Sequence, residues 1–301
     1  MHDTKPNLNS NINLLKVQRL KQKALKELNE NERERETCLG QLRKLLQEDE
    51  LLHCPLQDDK FLIRFLRARK FDINKTVSLI NHYYNMRLEN AELFENLCPE
   101  SVSHVLSQEI QAVLQKRDSQ GRQVFVFRAG KWDPDLVSLD DIFRSNYIFL
   151  EEMTSSEETQ ICGVTAIVDF EGMGFYQARQ FTPKHAIRMV QIIQNSFPCR
   201  FQEFHMVNQP YVFSLLFSIV KPFLNEKIKK RIYFHGRDLT SLHKSINPEV
   251  LPDFLGGNSS ISGIVSKFNK KLLKKNQQYK DMCQFGYRSK SNHSALSKKI
   301  L

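Results

Sequence analysis

The sequence predicts an α/β fold with a mostly parallel sheet, preceded by a small all-helical module. The main observation is a change of hydrophobic period at Gly121. After it, short runs rich in β-branched and aromatic residues alternate with helical stretches; these runs are "RQVFVFRA" (122–129), "GVTAIVDF" (163–170), "FHMVNQ" (204–209) and "RIYFHG" (231–236). Such alternation is typical of parallel strands joined by helical crossovers. A chain of 301 residues that is 41% hydrophobic can bury such a core.

The segments before this sheet predict helices only. Residues 1–50 are rich in Lys, Glu, Gln and Leu, with no glycine before Gly40, which predicts a solvated helical leader that packs loosely or serves as an entry helix. "DDKFLIRFLRARK" and "NKTVSLINHYYNMRLEN" follow a helical period, and the second has a possible N-cap at Asp72 or Asn74. We expect this helical module to share an interface with the sheet, because no Pro- or Gly-rich linker separates them.

The net charge of +10 is unevenly distributed along the chain. Residues 261–301 hold ten Lys or Arg against Asp281 alone, whereas residues 1–260 hold 34 basic and 33 acidic side chains. A basic segment of this kind attracts anionic lipid surfaces or nucleic acid, at about 1 kcal/mol per Lys or Arg near an acidic membrane. A purely solubilising role for it stays open.

Several functional classes lack their sequence signatures. The start of the chain does not resemble a signal peptide and no 18-residue apolar run occurs, so we expect a cytosolic protein. Six scattered cysteines without a CxxC pair favour neither zinc nor disulfides. Asp169 and Glu171 follow a predicted strand, but turn and cap roles suit them better than acid–base chemistry, and His205 and His235 fit core positions. We therefore expect no enzyme, no metal and no cofactor.

The helix "FLIRFLRARK" carries a charge in an unexpected place. At 100° per residue its apolar face holds Phe61, Leu62, Phe65 and Leu66, opposite Lys60, Arg64 and Arg67. Arg69 falls in the centre of the apolar face. A charge there must be paired or must line a cavity, because burying it alone would cost several kcal/mol. An ion pair with an acid of the neighbouring domain and an anion site both remain open.

Residues 212–236, "VFSLLFSIVKPFLNEKIKKRIYFHG", join an apolar segment to a basic one. The apolar part predicts a helix that lies in the core or has lipid on one side, and Pro222 should kink or split it. In the basic part, Lys227, Lys230 and Arg231 would share one helical face that could hold a multivalent anion.

At these positions the chain resembles a known family. Segments such as "FLIRFLRARKFDINKTVSLINHYYNMR", "SSEETQICGVTAIVDFEGMGF", "QNSFPCRFQEFHMVNQPYVFSLLFSIVKPFLNEKIKKRIYFHG" and "LHKSINPEVLPDFLGG" resemble the CRAL-TRIO (Sec14-like) lipid-binding proteins. Within that family they are similar to the group of α-tocopherol transfer protein, cellular retinaldehyde-binding protein and the clavesins. The resemblance runs from about residue 50 to 262. The domains it implies are a helical leader (1–50), an all-α module (51–95), a lipid-binding domain (100–262) and a basic C-terminal tail (263–301).

The resemblance implies a pocket closed by a movable gate helix at residues 208–231. Gate contacts with the ligand would come from Phe213, Leu216, Val220 and Leu224. Four basic residues grip a phosphoinositide headgroup in α-tocopherol transfer protein, and the matching positions here are Arg69, Arg200, Lys227 and Arg231. Lys221 resembles a further family position. This match favours the anion-site interpretation of Arg69.

The resemblance also implies a set of pocket residues. They are Phe143, Asn146, Leu150, Glu151, Val164, Val168, Met189, Ile192, Ile193, Phe197 and Phe201. Asn146 and Leu150 replace two serines that hydrate the chromanol hydroxyl in the tocopherol protein, which argues against tocopherol itself. Glu151 matches a glutamate near the ligand of the retinaldehyde protein, so a ligand with a polar head or a carbonyl is expected.

These features lead to one main hypothesis and two alternatives. The main one is a carrier of a tocopherol-, retinoid- or other isoprenoid-like lipid that releases its cargo at phosphoinositide-bearing membranes, without nucleic acid as a partner. A clavesin-like phosphoinositide-binding adaptor at endosomal or trans-Golgi membranes, recruiting partners through the leader or the tail, is the second. A phosphatidylinositol/phosphatidylcholine exchanger is the third.

Overall fold

Helices dominate the part of the chain that precedes the main sheet. The computed structural model describes residues 8–288, and this part contains α1 (Leu8–Leu28), α2 (Glu32–Gln47), β1 (Leu52–His53), α3 (Asp59–Ala68), α4 (Ile73–Glu89), α5 (Ala91–Phe94) and α6 (Ser103–Leu106). The side chains of Asn31, Asp58 and Asp72 cap α2, α3 and α4, each by accepting a backbone N–H three residues on. The predicted N-cap at Asp72 is thereby confirmed.

The expectation that residues 1–50 pack loosely was wrong for α2. This helix buries Cys38, Leu39, Leu42 and Leu46, and it packs against α3 and α4. Their spacing places the four side chains on one face, which a composition rich in Lys and Glu had obscured. Helix α1 buries Ala24 and Leu28 and contacts the helix at 157–162 of the following domain.

The predicted strands form one sheet, as the α/β prediction requires. Five strands lie in the order β2–β3–β4–β5–β6, and the bounds are β2 (Gln111–Val113), β3 (Gln123–Arg128), β4 (Val164–Asp169), β5 (Phe201–Val207) and β6 (Ile232–Phe234). The pairs from β3 to β6 are parallel, and the edge strand β2 pairs antiparallel with β3. Strand β2 was not predicted, because three residues are too few for a recognisable period.

Helices connect the strands and cover both faces of the sheet. They are α7 (Leu139–Thr154), α8 (Glu157–Cys162), α9 (Phe175–Ala178), α10 (Pro183–Gln191, continued by a π-turn at Ile192–Ser196), α11 (Phe213–Val220), α12 (Glu226–Lys229) and α13 (Leu239–His243). Val124, Val126 and Ile167 point to one face, where they pack with Leu242 and the residues that follow α13. Their neighbours Phe125, Phe127 and Val168 point to the other face.

The predicted basic tail is in part a packed segment. It contains α14 (Ile261–Leu273), α15 (Asn276–Met282) and β7 (Gly286–Tyr287), which pairs antiparallel with β1. Ile264 and Val265 are buried in the core on the α13 side of the sheet. Lys271 and Lys275 lie 3.2 and 2.6 Å from the carboxylate of buried Glu152, so part of the basic charge is structural. Residues 289–301 lie outside the described part of the chain.

Candidate functional site

A cavity of about 290 Å³ lies between one face of the sheet and the helices that cover it. Alternate residues of β3, β4 and β5 form its floor, α7 and α10 form its walls, and the segment at 208–231 forms its lid. The lining is almost entirely apolar and includes Phe125, Phe127, Ile142, Phe143, Met153, Val164, Ala166, Val168, Phe170, Phe201, Phe204 and Met206. Strands that alternate between two buried faces explain this wall, because every second side chain points inward.

Most of the predicted pocket residues lie in this lining. The nine found there are Phe143, Asn146, Leu150, Val164, Val168, Met189, Ile192, Ile193 and Phe201, and the four predicted gate contacts Phe213, Leu216, Val220 and Leu224 line it too. The sequence missed Phe125, Phe127, Phe204, Met206 and Phe217. For the four on β3 and β5, alternation with the buried residues of the opposite sheet face was the available signal, whereas Phe217 lies on α11, one turn after Phe213.

Glu151 and Phe197 are corrections, because the structure places both outside the cavity lining. The Glu151 carboxylate lies 2.5 Å from Arg64 Nη1 and accepts a 2.6 Å hydrogen bond from the Tyr83 hydroxyl. Phe197 packs edge-on to Tyr147, with ring centroids 5.1 Å apart. Leu150 and Glu151 are neighbours on α7, so they point about 100° apart: Leu150 faces the cavity and Glu151 faces α3.

Asn146 is the polar side chain that can serve a ligand. Three lining residues of the described chain carry polar side-chain atoms. Trp132 donates to the Val137 carbonyl, and the amide of Gln177 bonds to Gly174 N and Trp132 O. The Asn146 oxygen accepts a 3.0 Å hydrogen bond from Gln111, whose own oxygen accepts from Ser145. Within residues 8–288 the amide nitrogen of Asn146 makes no hydrogen bond, so it can donate one into the cavity.

The lid contains two short helices, an apolar one and a basic one, which are separated by a turn. Helix α11 ends at Val220, a 3₁₀ turn covers Lys221–Phe223, and α12 begins at Glu226, so the predicted break at Pro222 is confirmed. Asn208, before α11, has φ of 54°, and its amide donates to Asp169. One face of α11 lines the cavity, while Tyr211 and Leu215 are 99% and 52% exposed. The segment thus separates an apolar interior from the surface.

Gln194, on the π-turn after α10, ties the lid to the body of the protein. Its side-chain oxygen accepts a 2.7 Å hydrogen bond from Asn225 N, and its amide nitrogen donates to the Phe223 carbonyl at 3.2 Å. Its backbone carbonyl accepts from Arg69 Nη2 at 3.3 Å. π-turns often mark functional sites. Sequence analysis missed Gln194, and no local pattern singles it out.

A cluster of basic residues lies where α3, β5 and α12 meet, and we call it the basic cluster: Arg69, Arg200, Lys227 and Arg231. Burial lowers the pKa of Lys227, and four cations lower it further: Arg231, Arg69, Lys70 and Arg200. Burial also lowers the pKa of Arg231, and Arg200 adds to the effect. Like charges so close together repel one another, and a bound anion would relieve this repulsion.

Acids neutralise little of this cluster. Within residues 8–288, no carboxylate lies within 4.0 Å of Arg69, Lys227 or Arg231. Arg231 donates instead to the Phe201 carbonyl, and Arg200 to the Ile161 carbonyl. The absence of a side chain at Gly163 lets the backbone of Arg200 approach this position closely. A Cβ at residue 163 would lie 2.4 Å from the Arg200 carbonyl oxygen. In the described part of the chain, Arg200 has one acidic partner, Glu27 of α1, at 2.8 Å.

Two arginines of α3 correct the helical-wheel prediction. Arg64 and Arg67 were placed on the outer face, yet both are buried, at 5% and 2% exposure. Arg64 pairs with Glu151, and Arg67 binds both oxygens of Glu30 at 2.6 and 2.8 Å and also Glu157. The predicted ion pair with the neighbouring domain therefore exists, but Arg64 and Arg67 make it. Arg69 lies one residue beyond α3, whose last residue is Ala68.

The remaining predicted positions lie elsewhere. Lys221 is exposed on the turn after α11. Helix α12 ends at Lys229, so Lys230 and Arg231 lie beyond it and the predicted shared helical face does not form. Asp169 accepts from Glu171 N and from the Asn208 side chain, which lie in the segments that follow β4 and β5. His205 is buried and lies 2.9 Å from His235. Among residues 8–288 no group of acids, Cys or His has a metal-binding arrangement.

An apolar chamber beneath α11, with a patch of cations at the basic end of the same lid segment, is the arrangement of a protein that encloses a hydrophobic ligand. Residues 107–257 match the model of the CRAL/TRIO domain, half of the chain. The chain therefore belongs to the CRAL-TRIO family of lipid-binding proteins. Residues 31–103 match a second model, the Pinta-like UBA domain, which covers α2 to α5.

Curated relatives agree with this assignment. "Alpha-tocopherol transfer protein-like" of Mus musculus is 35% identical over 263 residues, 87% of this chain and 76% of the relative. The Homo sapiens protein of that name is 37% identical over 75% of this chain and 66% of the relative. "Clavesin-1" of Xenopus laevis is 36% identical over 77% of this chain and 70% of its own.

One solved structure, titled "Crystal structure of Sfh5", aligns with 82% of this chain and 98% of its own. Its TM-score is 0.47 at 16% identity, too low to add to the argument. Separately, none of the helices described between residues 8 and 288 has the length and hydrophobicity needed to cross a membrane.

Proposed function

We propose that this protein is a non-enzymatic carrier that encloses one small hydrophobic lipid and releases it at membranes bearing phosphoinositides. One observation supports this proposal above the others. The single segment 208–231 supplies the lid of the cavity and also two cations of the basic cluster, Lys227 and Arg231. An anionic headgroup that engages these cations pulls on the same segment that covers the cargo.

The cavity supports a cargo with one polar end. Burying an acyl or isoprenoid chain among these side chains contributes about 0.8 kcal/mol per CH₂ group. The Asn146 amide nitrogen favours a head that accepts a hydrogen bond, such as a carbonyl or hydroxyl oxygen. The relatives' names point to tocopherol transfer; a tocopherol-, retinoid- or other isoprenoid-like molecule fits this description.

Headgroup binding and cargo binding should be coupled through the lid. Arg69 donates to the Gln194 carbonyl, and the Gln194 side chain holds the turn at Phe223 and Asn225. A headgroup that draws Arg69, Lys227 and Arg231 towards its phosphates competes with this closed arrangement and favours opening. The coupling must be reciprocal, so a bound cargo weakens headgroup affinity by the same factor.

Native mass spectrometry and lipid extraction test the carrier function on full-length protein purified from a eukaryotic host. We expect one stoichiometric isoprenoid or retinoid. The variant Asn146→Leu removes the amide donor. It should therefore bind less of a ligand with a polar head than the wild type does, whereas binding of the corresponding hydrocarbon without that head should not fall. A mixture of phospholipids would contradict a dedicated carrier and support an exchanger.

A second candidate is a phosphoinositide-binding adaptor, favoured by the likeness to Clavesin-1. In that case the cavity would be empty, headgroup binding would persist, and the chain's ends would recruit partners. Deleting residues 289–301 tests the role of the tail without removing the packed helices α14 and α15. Unchanged membrane localisation and partner binding in that variant would count against an adaptor that works through its tail.

A further inference from the structure

Glu27 reaches the basic cluster from a distant part of the chain. It lies on the last turn of α1, and its Oε2 atom accepts a 2.8 Å hydrogen bond from Arg200 Nη2. The other terminal nitrogen of Arg200 donates to the Ile161 carbonyl. Both arms of this guanidinium are therefore engaged within the protein. A phosphate can bind Arg200 in the usual forked manner only after the carboxylate has moved.

The carboxylate of Glu27 is charged at neutral pH. Partial burial raises its pKa, but the hydrogen bond from Arg200 and the charge of Lys23 outweigh burial, so that the pKa lies below its usual value of 4.5. The side chain is 37% exposed, in contrast to 8% for Glu30, which is held by Arg67. Glu27 thus has room to leave Arg200, whereas Glu30 is enclosed.

Helix α1 does not need Glu27 to stay in place. Lys16 pairs with Glu158 at 2.8 Å, and Lys23 donates to the Gln120 carbonyl at 2.8 Å. Ala24 and Leu28 are buried beneath the helix. Breaking the Glu27–Arg200 contact therefore removes one of several attachments and leaves the fold intact.

We propose that Glu27 is a built-in competitor of the headgroup: it occupies Arg200 until a phosphorylated inositol displaces it. The proposal rests on the proposed headgroup site and adds its regulation. A phosphate monoester carries about −1.5 to −2 charges against the single charge of a carboxylate, so the exchange at Arg200 favours phosphate only modestly. A ligand whose phosphates also reach Lys227 and Arg231 gains further contacts, and these offset the loss of Glu27.

A consequence is discrimination by phosphate number. A ligand with one phosphate at Arg200 exchanges one anion for another and gains little. A polyphosphorylated inositol gains the contacts of two cations without a carboxylate partner within 4.0 Å in the described chain. Glu27 thereby keeps the site from binding weakly charged phospholipids at the membrane surface.

The test measures binding of full-length Glu27→Gln to soluble inositol 1,4,5-trisphosphate by calorimetry. We expect roughly two- to fivefold tighter binding than the wild type, the fold-change that corresponds to losing a partly exposed ion pair. Glu36→Gln is the matched control, since it removes the same charge from an exposed position of α2. It should leave the affinity unchanged.

A second pair of variants separates competition from a general charge effect. In an Arg200→Gln background, Glu27→Gln should give no gain, because the carboxylate then has nothing to occupy. An equal gain in both backgrounds would overturn the proposal. Flotation with vesicles that contain phosphatidylinositol bisphosphate identifies the ligand's source. A gain there and in calorimetry supports a lipid headgroup, and a gain with the soluble ligand alone supports competition against free inositol phosphates.

Failure of the inference differs from failure of the proposed headgroup site. If the wild type binds the trisphosphate, Lys227→Gln weakens it and Glu27→Gln changes nothing, the site stands and the competitor is refuted. If neither the wild type nor Glu27→Gln binds, both are refuted. Binding by Glu27→Gln alone would be the strongest support for competition.

Discussion

Two groups of basic side chains, one on α3 and one that includes the residue just past its end, have opposite surroundings. Arg64 and Arg67 are fully buried, and each has a carboxylate from another element within 2.6 Å. Arg69, one residue past the end of α3, joins Lys227 and Arg231 in a cluster where burial, and then repulsion between the cations, lowers the pKa of Lys227. The first group holds the helical module against the lipid-binding domain through ion pairs. The second group retains positive charge that nearby acids do not neutralise.

The difference teaches how a buried charge should be interpreted. A buried ion with a well-placed counter-ion contributes to the fold, because removing either partner leaves an uncompensated charge. A half-buried cation among other cations is unfavourable by itself, which is the reason for proposing an anion site there. The end of α1 serves both groups: Glu27, on its last turn, is partly exposed beside Arg200, and Glu30, two residues past its end, is enclosed beside Arg67.

The largest effect should come from breaking the buried pair. Glu151→Leu leaves Arg64 buried without a counter-ion and Tyr83 without its acceptor, so we expect a loss of about 3–5 kcal/mol in the free energy of unfolding. Urea unfolding measures it. The double variant Arg64→Met/Glu151→Leu should recover most of the loss. If Glu151→Leu costs less than about 1 kcal/mol, the two groups do not differ in the way described.

The basic cluster should show the reverse behaviour. Lys227→Gln should change the free energy of unfolding by no more than about 0.5 kcal/mol. Its affinity for inositol trisphosphate should fall about tenfold, the loss of one charge-assisted contact. Lys229→Gln is the control on the same helix, because Lys229 already pairs with Glu226 at 2.9 Å. Equal losses of affinity in both variants would mean that only net charge matters.

Gln194 tests whether the cluster communicates with the lid. Gln194→Ala removes the two side-chain hydrogen bonds to the turn at Phe223 and Asn225. We expect cargo release about fivefold faster, at roughly 1 kcal/mol for the pair of partly exposed bonds. Fluorescent-lipid transfer to vesicles measures this rate, with Asn195→Ala as the exposed neighbouring control. An unchanged release rate would separate the headgroup site from the lid.

The smallest effect concerns the pH dependence that Glu27 adds. Its pKa is lowered in the folded protein, so the contact with Arg200 stabilises the fold above the unfolded value of 4.5 and is lost as pH falls through the folded value. The wild type should exceed Glu27→Gln by less than about 1 kcal/mol at pH 7. The two should converge in acid. Urea unfolding of both proteins at pH 7 and at a pH below the folded pKa of Glu27 measures this difference. A difference in stability that persists at the acidic pH would mean that it does not come from the charge of Glu27.

Local patterns predicted much of the architecture. The sequence predicted the four strand runs, their helical connections, the cap at Asp72 and the break at Pro222. It could do so because hydrophobic period, capping and proline geometry act over a few residues. Patterns failed where the surroundings decide the outcome. The charged surface of α2 hid a packed face, the tail contained two docked helices, and Arg64 and Arg67 were assigned to solvent.

The sequence by itself determined the fold class, the family, and the apolar character of the cavity wall and lid. Tertiary structure decided which charges are neutralised. Glu151 reaches Arg64 across 87 residues, Gln194 meets Arg69 across 125, and Glu27 meets Arg200 across 173. Coulomb interactions and hydrogen bonds act over a few ångströms in space and ignore separation along the chain. Only the folded arrangement therefore distinguishes a structural arginine from one that is available to bind a ligand.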